Sequence, residues 1–135
     1  MSDRLKELFE KFGSPSMVSV GRNKSKGGTG MYSISWPSHE DYPICQINGF
    51  LSDQKITRKL VRDGNKTSKH QYTTEEEQKF MPSWDDYDDL VLWMRHLKFL
   101  KESWNRHSTP EERSDAEKES NELKKELEDL GYKPY

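Results

Sequence analysis

Cations and aromatic side chains occur together in residues 14–74, and this is the stretch whose residue types best support binding chemistry. Lysine and arginine neutralise phosphates, and exposed aromatic rings stack on bases, so the combination is typical of nucleic-acid-binding surfaces. The residues expected to form such a surface are Arg22, Lys24, Lys26, Arg58, Lys59, Arg62, Lys66, Lys69 and Tyr72. Tyr32 and Trp36 lie in the same stretch, but their regular alternation with serines favours burial instead.

Three of these cations lie in a glycine-rich segment, residues 21–30. A nucleotide-binding phosphate loop needs Gly, four residues and then Gly-Lys-Ser/Thr at the start of a helix. Here Lys26 precedes Gly27, and the flanking segments are predicted strands. The sequence therefore disfavours nucleotide binding and leaves two interpretations open, a basic loop that contacts a phosphate backbone and a solvated hairpin tip.

Catalytic and metal-binding patterns are weak. The triplet His39–Asp41 could support acid–base chemistry, but Cys45 lies in an apolar run typical of a core cysteine. His96 and His107 are eleven residues apart in a helical pattern, which separates them by roughly 16 Å, too far to share an ion. No His-Glu-x-x-His or Gly-x-Ser-x-Gly pattern occurs. We therefore expect no enzymatic activity, no metal and no cofactor.

Charge is distributed unevenly along the chain. Residues 11–74 carry ten basic and four acidic side chains, whereas residues 75–135 carry ten basic and seventeen acidic ones. The overall net charge of −2 conceals this difference. Such asymmetry suggests contact with a polyanion. The alternative is that the acidic half packs beside the basic half and neutralises it.

Length and composition restrict the class of protein. The chain has 135 residues and one cysteine, so it cannot form an internal disulfide. It contains neither a long apolar run nor an apolar stretch after Met1, so we expect no membrane span, no secretory signal and a cytoplasmic location. Leu, Ile, Val and Phe total only 24 residues, but 15 aromatic residues compensate. A small aromatic core is expected.

Hydrophobic periodicity predicts helices at both ends of the chain and strands between them. Residues 3–12 place apolar side chains on one helical face, and residues 84–106 and 110–130 form two helices joined by a short connection. Strands are predicted at 17–20, 31–36 and 44–51. Residues 55–62 fit either a helix or the first strand of a hairpin that turns at Asp63-Gly64-Asn65, and the turn residues favour the hairpin.

These elements predict an α+β fold over a single domain, residues 1–135. A small antiparallel sheet of three to five strands would be packed by an N-terminal helix and a C-terminal antiparallel helical hairpin. Its parts are a helix at 1–13, a basic β-rich part at 14–74 and an acidic helical hairpin at 75–135. On helical spacing, Trp93 or Trp104 belongs to the helical core, and Trp104 shares the apolar face of the first hairpin helix.

Two functions remain open at this level. The first is a small non-enzymatic binding or regulatory protein whose basic half contacts nucleic acid or a nucleoprotein. The alternative is a protein-interaction factor, an inhibitor or adaptor of the type that viruses and mobile elements encode, which acts through its acidic helices. Its expected partner contacts are Trp84 and Tyr87, among acidic residues, and Leu123 and Leu127, on a narrow apolar stripe that could instead pack against the preceding helix.

The basic loop gives the first testable prediction. Replacing Arg22, Lys24 and Lys26 together by alanine should weaken binding to polyanions and leave the melting temperature nearly unchanged, because only glycine and small polar residues surround them. Each lost phosphate contact should lower the slope of log binding constant against log salt by about 0.7–0.9. A salt titration measures this slope, and an unchanged slope would remove the loop from the binding site.

Overall fold

The computed structural model describes residues 4–21, 30–37, 44–63 and 66–134, and residues 62, 63 and 66–69 by their backbone alone. Within these ranges the chain forms four α-helices and five strands. In chain order they are α1 (Arg4–Phe12), β1 (Met17–Val20), β2 (Met31–Ser35), β3 (Ile44–Phe50), β4 (Asp53–Asp63), β5 (Lys66–Tyr72), α2 (Glu75–Gln78), α3 (Tyr87–Ser103) and α4 (Pro110–Asp129). A short 3₁₀ turn, Trp84–Asp86, leads into α3.

The five strands form one antiparallel sheet in which each strand pairs with its neighbours along the chain, in the order β1-β2-β3-β4-β5. The α+β fold class predicted from the sequence is confirmed, and residues 55–62 lie in a strand of the β4–β5 hairpin rather than in a helix. The pairing of β3 with β4 is irregular at two points, between Ile44 and Gln46 and between Asn48 and Phe50. Such irregularities increase the local twist of a sheet.

One face of the sheet packs against α1 and α3. As the alternation predicts, Tyr32, Ile34 and Trp36 are buried on this face. The four apolar residues that make α1 amphipathic are also buried, namely Leu5, Leu8, Phe9 and Phe12. Gly13 ends α1 with a positive φ of 86°, and its carbonyl oxygen accepts a 2.8 Å hydrogen bond from the indole nitrogen of Trp36. The end of the first helix is thus fixed to the residue that follows β2.

Trp93 of α3 lies at the centre of this core, with no exposed surface. Its ring packs edge to face against the rings of Phe9 and Tyr132, with ring centroids 5.1 Å and 5.7 Å apart, respectively. The hydroxyl of Tyr132 donates a 2.6 Å hydrogen bond to the carboxylate of Asp89. The residues that follow α4 are therefore tied back to the first turn of α3.

Trp104 departs from the predicted position. It is 70% exposed, because α3 ends at Ser103 and Trp104 is the residue that caps the helix, with φ −102° and ψ 0°. A residue outside the helical backbone no longer follows the helical wheel, so the prediction that Trp104 shares the buried face was wrong. Of the two tryptophans, Trp93 is the core residue.

α4 packs along α3 as the second arm of the helical hairpin. The residues that α4 buries are Ala116, Ser120, Leu123 and Leu127. In the centre of the contact, Nδ1 of the buried His96 lies 3.1 Å from the carbonyl oxygen of Ser120. Because a carbonyl only accepts, this nitrogen carries a proton, and in the neutral ring the contact selects the Nδ1–H tautomer.

The contrast between the two tryptophans is testable by unfolding. Replacing Trp93 by alanine leaves a cavity in the aromatic core and should lower the free energy of unfolding by about 3–5 kcal/mol. Trp104→Ala is the matched control, because an exposed side chain away from the core should change it by no more than about 0.5 kcal/mol. Urea denaturation followed by circular dichroism measures both. Equal losses in the two variants would contradict this packing.

Buried His96 should make stability depend on pH. Burial lowers the pKa of His96, more than its bond to Ser120 raises it, and nearby Lys124 lowers it further. The unfolded chain then binds the proton more tightly. The stabilising contribution of His96 is complete above the unfolded pKa of about 6.5 and is lost as the pH falls below it. The urea concentration at the midpoint of unfolding should therefore decrease as the pH is lowered from about 7 to about 5.5.

Two variants assign this pH dependence. His96→Gln should flatten the dependence, whatever its own cost in stability. His107→Gln changes an exposed histidine near the start of α4 and should leave the dependence intact. The same pH profile in wild type and His96→Gln would show that His96 is not the group responsible.

Candidate nucleic-acid interface

The second face of the sheet is not covered by any helix in the described part of the chain. Side chains alternate between the two faces of a strand. Those opposite the core include Met31 and Tyr72, each 60% exposed, and Ile56, 49% exposed. We call this surface the open face. It is where the strands could contact a ligand.

Five side chains form a line across the open face because of how the strands pair. Ser19 of β1 is opposite Ser33 of β2, Ser33 is opposite Asn48 of β3, Asn48 is opposite Arg58 of β4, and Arg58 is opposite Tyr72 of β5. We call this line the polar row. With neighbouring strands about 4.8 Å apart, it extends roughly 19 Å. None of its five members is acidic.

Arg58 and Tyr72 form the end of the polar row at β5. The guanidinium carbon of Arg58 lies 5.4 Å from the centre of the Tyr72 ring, and an amino group of Arg58 donates a 3.3 Å hydrogen bond to the Tyr72 hydroxyl. This is cation–π geometry. It holds a cation and an aromatic ring together at the surface.

The middle of the polar row offers uncharged donors and acceptors. Ser33 and Asn48 are half-buried, and the side-chain amide of Gln46 donates a 3.0 Å hydrogen bond to the hydroxyl of Ser33. Four members of the row line an open depression of about 680 Å³, and Met31, Phe50 and Ile56 line the same depression. The open face therefore combines a polar strip with an apolar border.

A glycine of β3 on the core side of the sheet leaves room for side chains of β2 and β4 to meet. Gly49 is opposite Tyr32 in the β2–β3 ladder. A β-carbon at Gly49 would lie 2.8 Å from the hydroxyl of Thr57 and 2.9 Å from that of Tyr32. Those two oxygens are 3.1 Å apart and hydrogen-bonded.

The hydroxyl of Tyr32 stays protonated. Burial, with the negative charge of Asp86 as a lesser cause, raises the pKa of Tyr32 to about 12. This buried bond joins β2 to β4 one residue away from Asn48 and Arg58.

Two residues expected to bind nucleic acid, Arg58 and Tyr72, lie together on the open face. Lys59 lies on the opposite face of β4, and its ammonium contacts the carboxylate of Glu77 at 2.5 Å. Burial alone would raise the pKa of Glu77, but bonds to Lys59 and Thr74 outweigh it, and the pKa is lowered. Lys59 is thus engaged in holding α2 against β4.

The other expected cations are outside what the structure describes. Arg22, Lys24 and Lys26 belong to the segment between Gly21 and Gly30, and the side chains of Arg62, Lys66 and Lys69 are not among the described ones. Gly21 donates a backbone hydrogen bond to Met31. The segment with three cations therefore begins and ends beside the border of the open face.

The residues expected to contact a protein partner lie mainly inside the chain. Tyr87, Leu123 and Leu127 are buried, because α4 uses its apolar stripe against α3. This is the intramolecular alternative that the sequence left open, and it removes these three side chains from the accessible surface. Trp84 is half-buried. Its ring packs so close to Gly30 that a β-carbon at Gly30 would lie only 2.8 Å from it. It supports the start of β2.

Sequence reasoning missed the residues in the middle of the open face. Ser33 and Asn48 occupy polar positions in predicted strands, and the alternation of Tyr32, Ser33 and Ile34 placed Ser33 on the face away from the core. The register between neighbouring strands could not be predicted from local sequence patterns, and between β3 and β4 the pairing is irregular. The row could therefore not be assembled from single strands.

Metal chemistry finds no support in the described ranges. No group of three or more His, Cys, Asp or Glu side chains there could hold an ion. The triplet His39–Asp41 lies outside those ranges, and Cys45 is a half-buried free thiol. Among the described residues, no helix has the length and apolar character needed to cross a bilayer.

Comparison of the chain with protein-family models, curated proteins and solved structures gives no match.

Proposed function

We propose that this chain is a small non-enzymatic binding or regulatory protein that contacts nucleic acid through the open face. The observation that carries the proposal is the Arg58–Tyr72 pair at the end of a row without acidic side chains. A cation attracts phosphate, and an exposed aromatic ring offers a stacking surface. The two groups are presented together by neighbouring strands.

The distribution of charge supports the same surface. Lys59 is paired with Glu77 on the core side, as expected if the acidic and basic halves neutralise each other. Arg58, the preceding residue, faces the other way and has no carboxylate partner among the described residues. Neutralisation within the chain therefore accounts for one face of β4 and leaves a cation on the open face.

The glycine-rich segment would add to this charge. Arg22, Lys24 and Lys26 are bounded by Gly21 and Gly30, which flank the border of the open face. Long-range attraction to a phosphate backbone needs no fixed geometry. The proposal therefore assigns these cations to affinity and the open face to contact with the nucleotides.

The runner-up is a protein-interaction factor, possible because the border of the open face is apolar. Met31 and Ile56 are exposed there, and exposed apolar side chains grouped together are typical of protein contacts. This alternative uses the sheet rather than the buried helical residues that the sequence suggested. It predicts binding with little dependence on salt.

Salt dependence separates the two functions. Fluorescence anisotropy with labelled oligonucleotides of mixed sequence should show binding at low salt that is lost steeply as salt increases. Arg58→Gln should weaken binding and lower the log–log salt slope by about 0.7–0.9, the value of one phosphate contact. Lys118→Gln is the control, because it removes an exposed cation on α4 and should leave both affinity and slope unchanged.

No binding at low salt would contradict the nucleic-acid function and favour the protein-interaction alternative. Equal effects of Arg58→Gln and Lys118→Gln would also contradict it, because binding would then follow total charge rather than the open face.

A further inference from the structure

We propose that the nucleic acid taken by the open face is a single strand, with one base stacked on the ring of Tyr72. This inference rests on the proposed function and specifies its substrate class. It is carried by the position of Tyr72 in the sheet, by the length of the polar row and by the uncharged groups along it.

Tyr72 has one ring face to offer. Arg58 lies over one side of the ring, yet the side chain is 60% exposed. Tyr72 ends β5, which pairs with β4 and with no other strand in the described part of the chain. The side of the ring away from Arg58 is therefore open at the edge of the sheet, and a base stacked there would complete a sandwich with the guanidinium.

A single strand can use this ring face, and a duplex cannot. Within a duplex each base is already stacked on both sides, so a tyrosine reaches it only if the base is first displaced. A base in a single strand is free to stack, and every base has a π-face, so stacking tolerates different sequences. The exposed ring should therefore discriminate single strands from duplexes, with little preference for a particular base.

The polar row limits the length of strand in contact. At the 3.4 Å rise of a stacked strand, a row of about 19 Å accommodates at most about six nucleotides. Ser33 and Asn48 lie along this path and can both donate and accept hydrogen bonds, which suits base edges. Because no member of the row is acidic, nothing on it repels the phosphates that pass over it.

A protein partner fits the polar row less well. The row has polar side chains from Ser19 to Arg58, and the stretch of chain that forms the sheet carries excess positive charge. Both features complement a polyanion with hydrogen-bonding bases. The apolar border beside the row would contact the non-polar faces of bases that lie off it.

The test compares strands that do and do not carry bases. The probes are labelled hexathymidylate, a six-residue abasic strand with the same phosphates, and a blunt-ended duplex without unpaired bases, each titrated with the full chain at low salt. Wild type should bind hexathymidylate more tightly than either of the other two. Tyr72→Leu should weaken hexathymidylate binding roughly 5- to 150-fold, the range for one stacked base, and leave binding of the abasic strand unchanged.

Two controls keep this test interpretable. Tyr72→Phe keeps the ring and loses only the hydroxyl bonded to Arg58, so it should retain most of the affinity for hexathymidylate. Because Tyr72 is exposed on an edge strand, thermal unfolding should show both variants folded. If both Tyr72 variants weaken binding of the abasic strand equally, the hydroxyl acts through its bond to Arg58, and the stacking proposal is overturned.

Different results overturn the single-strand inference and the proposed function. If the duplex and the abasic strand bind as well as hexathymidylate, and Tyr72→Leu changes none of them, the single-strand proposal is overturned. Sensitivity to Arg58→Gln would in that case still support nucleic-acid binding through the open face. If none of the three probes binds, both the proposed function and this inference are overturned.

Discussion

The structure depends on burying a small supply of apolar side chains against one face of a five-stranded sheet. Leu, Ile, Val and Phe number only 24 in 135 residues. Most of those that are buried lie between the sheet and the helices α1 and α3 or between α3 and α4. Aromatic rings make this possible, because each covers a large area. Most of the buried apolar residues lie on that face, and none of the described helices covers the other.

That constraint also explains the polar details on the core side. Trp93 fills the centre, Tyr132 is tied to Asp89, and His96 is held in one tautomer between α3 and α4. Hydrogen bonds satisfy the Tyr132 hydroxyl and Nδ1 of His96, which lowers the cost of burying them. The indole nitrogen of Trp93 and Nε2 of His96 are buried without a hydrogen-bond partner among the described residues. On the open face the same chain presents serines, an asparagine and an arginine, which need no partner in water. The buried face therefore carries the contacts that stabilise the fold, whereas the side chains of the open face are exposed to solvent or only half-buried.

Local sequence patterns predicted most of the elements. The spacing of Leu5, Leu8, Phe9 and Phe12 predicted α1, and alternation in β2 predicted the buried position of Tyr32. Long-range pairing could not be predicted in this way. The polar row exists because Arg58 is opposite both Asn48 and Tyr72, and the irregular β3–β4 pairing that sets this register leaves no mark in composition or periodicity.

The wrong prediction for Trp104 and the unexpected role of Lys59 have the same physical cause. Trp104 fits the helical wheel, but α3 ends one residue before it, so its side chain lies in solvent. Lys59 and Arg58 are adjacent cations with indistinguishable sequence signals. Their roles differ because strand geometry turns one toward Glu77 and the other toward the open face. In both cases one residue along the backbone decides between burial, pairing and exposure.

The central claim is that the open face of the sheet, and not the helical surface, receives the ligand. The most direct measurement is a map of backbone amide shifts by nuclear magnetic resonance during titration with a short single-stranded oligonucleotide. The account predicts that the changes concentrate at Ser19, Ser33, Asn48, Arg58 and Tyr72, with α4 unaffected. Changes that concentrate on α3 and α4 while the sheet stays constant would contradict it.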